Sequence, residues 1–463
     1  MRLLTCSNSA PAPPAPPGGL VPILNALLKE LGGRWVFTAP EGFDPASVTG
    51  LRAAEQSHWY PVSIPKHRLD QQRQSVSVGV LLWLFHYLYD TSMIPLFDDR
   101  FRSAWRAYKL VNQEFAAALL ALHENSTDEV VLINDFHLML VPSLFSMKAP
   151  RRNSCLAYFH HVPWCEPDYF GILPASMREQ LLESLLNCDF VGFHCERWGQ
   201  SFLACCDRYL PGARINGRRV HYRDRETRIT AAAGPIDAAK LDELAADPRT
   251  HECREVLLCR AEGRRIITRI DRLDLWKNLP RGFLAYETLL RRKPELAADV
   301  WFCAIVSRPR FATDRHRRYE SQCEEVVRRI NTELANGRES VSLLFPEGGF
   351  DSRHRAVAAL QAGVTTLVNP TYDGLNMVAK ESAVVNPRAR LMLSTNAGAF
   401  PQLASIAIPV HPFDILSTAD ALEQALEDRT QPADHDFGAC SRVLRHETAK
   451  GWLETILGRS QPG

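Results

Sequence analysis

The segment from Thr371 to Glu381 reads TYDGLNMVAKE and joins a predicted strand to a predicted helix. β-rich residues from Thr365 to Pro370 come before it, and a helix-compatible run follows the Asp373-Gly374 pair. Strand–turn–helix units that recur along a chain restrict it to α/β folds with a mostly parallel sheet.

The same junction has a chemical consequence. Backbone N–H groups at the start of a helix point outward, and together with the helix dipole they favour an anion such as a nucleotide diphosphate. Gly374 lets the backbone approach a ligand closely, Asp373 can accept hydrogen bonds from sugar hydroxyls, and Glu381 can receive a ribose diol. A plain strand–helix turn with an aspartate cap explains these residues equally well.

Length and charge limit the classes of protein to be considered. A chain of 463 residues is too long for one ordinary core, since domains commonly have about 100–200 residues, so two or three domains are expected. The net charge of +1 argues against a nucleic-acid binder that works through bulk electrostatics.

Hydropathy and cysteine spacing predict a cytoplasmic protein without a membrane span. No apolar run reaches the ~18–20 residues of a spanning helix, and the stretch before Ser9 is too short for a secretory signal. The 12 cysteines are scattered, with Cys205-Cys206 the only close pair, which indicates reduced and mostly buried thiols.

Several apolar strands end in polar residues. Asp135 and His137 follow the run from Glu129 to Asn134, and ligands gather at the carboxyl ends of parallel strands. The neighbouring His160 and His161 point opposite ways on a strand, so at most one enters a given cleft. Neither has metal-ligand spacing to a partner, and no metal site is expected.

The chain changes character from Ala231 to Asp237, where small residues, Gly and Pro predict an interdomain linker. Beyond it, the strand from Arg265 to Ile270 leads into a loop with Arg272 and Lys277, which could bring two positive charges to one diphosphate. On spacing alone, a solvated loop with an Asp/Arg pair is slightly favoured.

A series of motifs now follows the chain in one order. They are Asp135-Phe136-His137-Leu138, Phe159-His160-His161-Val162-Pro163, Arg272-Leu273-Asp274 with Lys277, Val306-Ser307-Arg308, Asp373 to Glu381, and Leu393-Ser394 with Ala397-Gly398-Ala399. In this order they resemble the motifs of trehalose-6-phosphate synthases. The resemblance runs from Ser7-Asn8 and Gly18-Gly19 to about Gly398, and so many ordered motifs are far more specific than a lone glycine loop.

The resemblance implies an α/β protein of GT-B architecture, with two Rossmann-like doubly wound domains facing across a cleft. It implies an N-terminal acceptor-binding domain at residues 1–234 and a C-terminal nucleotide-sugar-binding domain at residues 235–440. Residues 441–463 are expected to form a helix, at about Arg442 to Leu457, that crosses back to the first domain. The activity implied is that of a retaining glycosyltransferase that needs no metal or other cofactor.

Residue roles carry over from the resemblance position by position. The implied catalytic set is Asp135, His161, Arg272 and Lys277, where Asp135 is the acceptor-side carboxylate, His161 lies near the C6 hydroxyl of the donor sugar, and the two cations hold the diphosphate. The implied donor-binding set adds Gly19, Asp373, Gly374, Leu375, Asn376, Met377, Val378 and Glu381. The resemblance also implies that departure of the nucleotide and attack by the acceptor occur on one face, so the enzyme would supply positioning and charge stabilisation.

The acceptor side departs from the family pattern. An Arg directly after Ser-Asn and a Tyr nine positions before Trp83 grip the acceptor phosphate in the family, and Ser9 and Gln74 stand there in this chain. Arg308 is kept, so the acceptor set becomes Ser9, Gln74, Trp83, Asp135 and Arg308. A lost charge-assisted contact to phosphate costs about 1.5–3 kcal/mol, and two weaken binding by roughly two to three orders of magnitude.

These departures predict a transferase that moves a sugar or sugar-like cyclitol from a nucleoside diphosphate to a small acceptor other than glucose 6-phosphate. Relatives in antibiotic biosynthesis do this, and C–N or S-glycosidic coupling is open. The alternatives are an authentic trehalose-6-phosphate synthase and an inactive regulatory relative that binds nucleotide sugar. UDP and GDP are the expected donor nucleotides, with an adenosine nucleotide also open, and a homo-oligomer is possible.

Two other enzyme classes fit less well. A nicotinamide dehydrogenase would need Gly-x-Gly-x-x-Gly after a predicted strand, and none is found. A metal-dependent GT-A transferase would want Asp-x-Asp after a strand, and Asp434-His435-Asp436 instead follows Pro432 in a polar segment predicted to be a loop.

Overall fold

A computed structural model describes residues 1–11, 19–39, 57–149, 153–309, 313–335, 337–346, 350–427 and 434–459. The chain forms two compact units, the first from Met1–Pro235 with Thr448–Gly463 and the second from Ile236–Glu447. Across the described residues, every helix is too short or too polar to cross a membrane.

The first unit contains a nine-stranded sheet in the order β3-β2-β1-β4-β5-β6-β9-β8-β7. Its strands are β1 (Arg2–Ser7), β2 (Gly33–Thr38), β3 (Ser57–Val62), β4 (Glu129–Asn134), β5 (Cys155–His160), β6 (Phe190–Phe193), β7 (Arg214–Asn216), β8 (Arg219–Tyr222) and β9 (Arg225–Ala231). All neighbours are parallel except β7 with β8 and β8 with β9. An antiparallel ribbon therefore extends a doubly wound parallel sheet.

Helices in this unit occupy the connections between strands. They are α1 (Leu20–Leu31), α2 (Lys66–Asp70), α3 (Trp83–Phe85), α4 (Asp99–Leu122), α5 (Val141–Lys148), α6 (Pro167–Phe170), α7 (Ala175–Leu185) and α8 (Glu196–Tyr209), with a π-helix at Gln71–Leu82 and a 3-10 turn at Phe136–Leu138.

The second unit contains a six-stranded, fully parallel sheet in the order β12-β11-β10-β13-β14-β15. Its strands are β10 (Arg265–Arg272), β11 (Val300–Ser307), β12 (Val341–Leu344), β13 (Thr365–Val368), β14 (Arg390–Ser394) and β15 (Ala407–Val410). Two such sheets with helical crossovers confirm the α/β class and the pair of Rossmann-like domains expected of a GT-B protein.

The helices of the second unit are α9 (Ala238–Ala246), α10 (Pro248–Ala261), α11 (Leu279–Arg292), α12 (Leu296–Asp299), α13 (Asp314–Arg329), α14 (Phe350–Ala362), α15 (Met377–Val385), α16 (Phe400–Leu403), α17 (Ile415–Glu427) and α18 (Asp434–His446). A 3-10 turn lies at Leu275–Lys277 and a π-helix at Ile330–Leu334. The last helix of the chain, α19 (Ala449–Ile456), belongs to the first unit.

Burial explains why these segments form strands. Every residue of β4 is buried, as are the first seven of β11, because helices cover both faces of a parallel sheet. Trp452, Leu453 and Ile456 of α19 join the core formed by α1 and the central strands of the first unit.

Apart from the antiparallel ribbon, the strand order reverses once in each sheet. In the first unit the chain winds one way from β1 and the other way from β4, and in the second the reversal lies between β10 and β13. The carboxyl ends of the two strands at such a switch point border a crevice in which ligands bind.

Two expectations are wrong in detail. The single helix at about Arg442 to Leu457 is two helices, α18 and α19, because Thr448 caps the second by accepting a hydrogen bond from the Gly451 N–H. Residues 434–436 are the first turn of α18 and not a loop.

Candidate functional site

The predicted donor residues of the second unit meet at the ends of β10 and β13. Lys277 Nζ lies 2.5 Å from Asp373 Oδ2 and 3.8 Å from Asp271 Oδ1. Burial alone would lower the pKa of Lys277, but the carboxylates of Asp373 and Asp271 outweigh burial and raise it. Lys277 is therefore held as a cation at the switch point of the sheet.

Arg272 supplies a second positive charge at the end of β10. Its guanidinium is 2.6 Å from Asp274 Oδ2, so the Asp/Arg pair favoured by spacing alone is present. The Asp274 carboxylate raises the pKa of Arg272. The Arg272 side chain is 52% exposed while that of Asp274 is only 7% exposed, so about half of the Arg272 side chain is open to solvent.

The loop from Asp373 to Asn376 is held in a defined conformation. Asn376 has φ 77° and caps α15, accepting a hydrogen bond from the Ala379 N–H at 3.2 Å, so the cap is Asn376 and not Asp373. Its Nδ2 donates to Asp373 Oδ2 at 3.0 Å. The Asp373 carboxylate is thus oriented by both Asn376 and Lys277, next to the N-terminal end of a helix that favours anions.

The segment that contains Gly398 and Ala399 is hydrogen-bonded to this loop. The Gly398 N–H donates to the Asp373 carbonyl at 3.0 Å, and the Ala399 N–H donates to the Leu375 carbonyl at 2.8 Å. A Cβ at Gly398 would lie only 1.8 Å from the Gly374 carbonyl oxygen. The glycine of the Ala-Gly-Ala motif is therefore required by close backbone packing.

Two arginines that sequence reasoning missed position the donor residues. Arg353 of α14 donates to both oxygens of Glu381, at 2.6 Å and 3.0 Å, and Glu381 is buried. Arg269 is fully buried, pairs with Asp271 at 3.0 Å, and donates to the Lys277 carbonyl. Both lie within helix or strand patterns that look like ordinary solvated or core segments, so the sequence held no signal for them.

In the first unit, Asp135 follows β4 in an unusual conformation. Its φ of 73° and ψ of 164° lie in a region that residues other than glycine rarely adopt, at a cost of about 1–3 kcal/mol. Its Oδ1 accepts a hydrogen bond from the Phe136 N–H at 3.0 Å. Burial raises the pKa of Asp135 to about 7, against the lowering effect of the Phe136 and His161 backbone N–H groups. Strain retained at a strand end supports a functional role.

His161 has a defined tautomer. Asn134 donates from Nδ2 to the Cys6 carbonyl at 3.1 Å, so its Oδ1 faces His161 Nε2, 3.1 Å away, and accepts a hydrogen bond from it. Burial, followed by the nearby His194 ring, lowers the pKa of His161 well below its ordinary value. His161 is therefore neutral, with its proton on Nε2. His160 instead packs in the core, as the opposite orientations of the two side chains predict.

The remaining predicted residues are placed as follows. Ser9 and Gln74 are exposed, and Trp83 is buried with only 7% exposure. Gly19 has φ 75° and directly precedes α1, whereas Gly18 lies outside the described residues. Arg308 lies in the second unit, 2.6 Å from Glu320.

The other side chains of the predicted donor set are also placed. Leu375 is buried, and Met377 and Val378 are the first two residues of α15.

Metal-ligand groupings were searched for across the described ranges. No set of three or more His, Cys, Asp or Glu residues there could hold a metal ion. All 12 cysteines are free and most are buried, as predicted.

Comparisons with known proteins agree on one family. The model of glycosyltransferase family 20 matches residues 13–461. An α,α-trehalose-phosphate synthase [UDP-forming] of Botryotinia fuckeliana is 27% identical over 453 residues, covering 96% of this chain and 83% of that protein. The corresponding synthase 1 of Arabidopsis thaliana is 30% identical over 454 residues, covering 95% of this chain and 46% of that protein.

Solved structures are similar over almost the whole chain. A trehalose-6-phosphate synthase, OtsA, superposes with a TM-score of 0.85 at 26% identity, covering 99% of this chain and 98% of that one. The structure described as "Trehalose-6-phosphate from E. coli bound with UDP-2-fluoro glucose" gives the same TM-score, identity and coverage.

The packing of Gly398 generates a stability prediction. Gly398→Ala should lower the free energy of unfolding by about 3 kcal/mol, because the new Cβ displaces the Gly374 carbonyl and the loop it belongs to. Urea denaturation measures the change. Gly438→Ala in α18 is the control, since its nearest neighbour would be 3.4 Å away and helix propensity favours Ala by up to about 1 kcal/mol. Equal stabilities of the two variants would contradict the packing argument.

Asp135 generates a pH prediction. Its folded pKa of about 7 lies above the value of about 3.9 for an unfolded Asp, so between these pH values the folded chain binds more protons. The free energy of unfolding should therefore fall as pH rises through this window. Asp135→Asn should remove about 1–2 kcal/mol of that fall, measured by urea denaturation at pH 5 and pH 8. Parallel pH curves for the variant and the parent would show that the assigned pKa is wrong.

Proposed function

The chain belongs to glycosyltransferase family 20, and from that premise we propose that it transfers glucose from UDP-glucose to a sugar phosphate, forming a trehalose phosphate with retention of configuration. The observation that carries the proposal is the pair of cations, Lys277 and Arg272, beside the N-terminal end of α15 at one switch point. The similar Botryotinia and Arabidopsis proteins are named UDP-forming synthases, which supports UDP as the leaving group.

The proposed mechanism uses the site as follows. The diphosphate of the donor lies at the start of α15, where Arg272 and Lys277 neutralise the charge that develops as the bond from sugar C1 to the phosphate oxygen breaks. Asp373 accepts hydrogen bonds from donor-sugar hydroxyls, and Glu381, fixed by Arg353, accepts the ribose diol. The acceptor oxygen bonds to C1 on the same face, and its proton passes to the departing phosphate oxygen.

In the first unit, Asp135 and His161 are proposed to bind the sugars. Neutral His161 points its Nε2–H at Asn134, which leaves Nδ1 as a hydrogen-bond acceptor for a sugar hydroxyl. Asp135 accepts from the acceptor hydroxyls. This proposal needs no protein nucleophile and no metal, because positioning and electrostatics supply the catalysis.

A changed acceptor is the second candidate function. It rests on Ser9 and Gln74, which replace two residues that grip phosphate in the resemblance described above. The names of the relatives favour the trehalose-phosphate synthase instead, and they lend no support to a role in antibiotic biosynthesis.

A direct assay separates the two candidates. The purified chain should release UDP from UDP-glucose only when glucose 6-phosphate is present, and mass spectrometry should detect a phosphorylated disaccharide. Calorimetric titration with glucose 6-phosphate in the presence of UDP should give micromolar binding. UDP release that depends on a different acceptor, with no binding of glucose 6-phosphate, would establish the changed acceptor.

Arg272→Ala tests the diphosphate assignment. It should lower kcat/KM by about 10²–10³-fold, because the leaving group loses one of its two cations. Stability should fall by about 1–3 kcal/mol, because the variant leaves the Asp274 carboxylate, which is only 7% exposed, without its ion-pair partner. Arg291→Ala is the control for activity and should leave kcat/KM unchanged, because that side chain is 55% exposed and its partner Glu287 keeps a second ion pair with Arg329. Near-normal turnover of Arg272→Ala would refute the assignment.

A further inference from the structure

A guanidinium that the sequence motifs do not include lies at the switch point of the first unit. Arg73 Nη2 donates to both the carbonyl oxygen and Oδ1 of Asn8, each at 3.3 Å. Asn8 directly follows β1, and its Oδ1 also accepts from Thr38 Oγ1, at the end of β2, at 3.0 Å. Arg73 therefore lies over the carboxyl ends of two neighbouring strands.

The same arginine lies close to the end of β4. Burial, followed by the positive charge of Arg73, lowers the pKa of His137 to about 3. The neighbouring Gln72 donates from Nε2 to the His137 carbonyl at 3.3 Å and to Ser77 Oγ at 2.9 Å. These contacts fix the start of the π-helix against the turn that follows Asp135. β1 and β4 are the two strands at which the sheet order reverses, so the cation lies where a ligand of this unit is expected.

The π-helix itself places Arg73 and Gln74 differently. Gln74 is exposed, while Arg73 is partly buried and points to the strand ends. π-helical segments within helices occur frequently at functional sites, because the wider turn redirects side chains. Here Arg73 lies at the strand ends, whereas Gln74, which stands where the family pattern has a tyrosine, does not.

We propose that Arg73 binds the phosphate of the acceptor sugar and so determines the specificity of the enzyme for phosphorylated acceptors. A guanidinium carries five N–H donors in a fixed fork that matches phosphate geometry. Asn8 positions the fork, and Asp135, two residues before His137, lies on the adjacent strand end to receive the sugar hydroxyls. The inference rests on the proposed function, since it assigns a residue to the acceptor of that reaction.

The position of Arg73 also explains how the chain can have serine, and not a cation, at residue 9. Ser9 is exposed and follows Asn8, the residue to which Arg73 is bonded, so a cation is present beside Asn8 although the chain carries none at residue 9. The loss of a positive charge from one segment is thereby offset by a positive charge from another. With Arg73 at this place, the proposed acceptor is still an anion. The serine at residue 9 therefore does not require a neutral sugar or a thiol as the acceptor.

The test is a comparison of acceptor and donor kinetics in the full chain. Arg73→Gln should raise KM for glucose 6-phosphate by about 10- to 100-fold while KM for UDP-glucose changes less than about threefold. An unchanged donor KM shows that the variant is folded. Arg106→Gln, on the exposed face of α4, is the control and should leave both constants unchanged. An unchanged KM for glucose 6-phosphate in Arg73→Gln would overturn the inference.

A charge swap tests the location. The double variant Ser9→Arg with Arg73→Gln should have a KM for glucose 6-phosphate at least tenfold lower than Arg73→Gln alone, because residue 9 adjoins the same Asn8. No recovery would overturn the claim that the two positions reach one anion. If the parent chain transfers to no phosphorylated sugar at all, the proposed function fails. If the parent uses glucose 6-phosphate and Arg73→Gln uses it equally well, only the role of Arg73 fails.

Discussion

The reversal of strand order in each sheet is the constraint on which both candidate sites depend. Where neighbouring strands send their connections to opposite faces, no helix covers the gap between their carboxyl ends, and polar side chains can collect there. β10 and β13 collect Arg272, Lys277 and Asp373, while β1 and β4 collect Asn8 and Asp135. The chemistry of each unit is therefore located by topology before any single residue is considered.

Within the second unit, the ion pair between Lys277 and Asp373 holds Lys277 in its charged form at the switch point. Lys277 is flanked by two carboxylates, and the buried Arg269 balances Asp271 and holds the Lys277 backbone. A buried charge whose partner is removed costs about 3–5 kcal/mol, so this network is stable only when complete. In the proposed reaction, the donor diphosphate brings negative charge to the same cations, which frees Asp373 for sugar hydroxyls without leaving Lys277 unpaired.

Local pattern was sufficient to predict much of this arrangement. The apolar run from Glu129 to Asn134 forms a strand, because continuous burial is a property of consecutive residues. Asp135, Lys277 and the Asp373 loop could be named because they end such strands. Arg353 and Arg73 could not, since their partners are 28 and 65 residues away and only the folded chain joins them.

In the proposed acceptor site, Arg73 offsets the departure at Ser9, and a comparison made residue by residue does not count it. A phosphate responds to the position of positive charge in space and to the donors that surround it, and it is indifferent to which segment supplies them. Arg73 approaches from a π-helix and Ser9 lies in the loop after β1, yet both adjoin Asn8. A motif that covers only the loop after β1 shows Ser9 in place of a cation, whereas the folded unit has Arg73 at the same strand end.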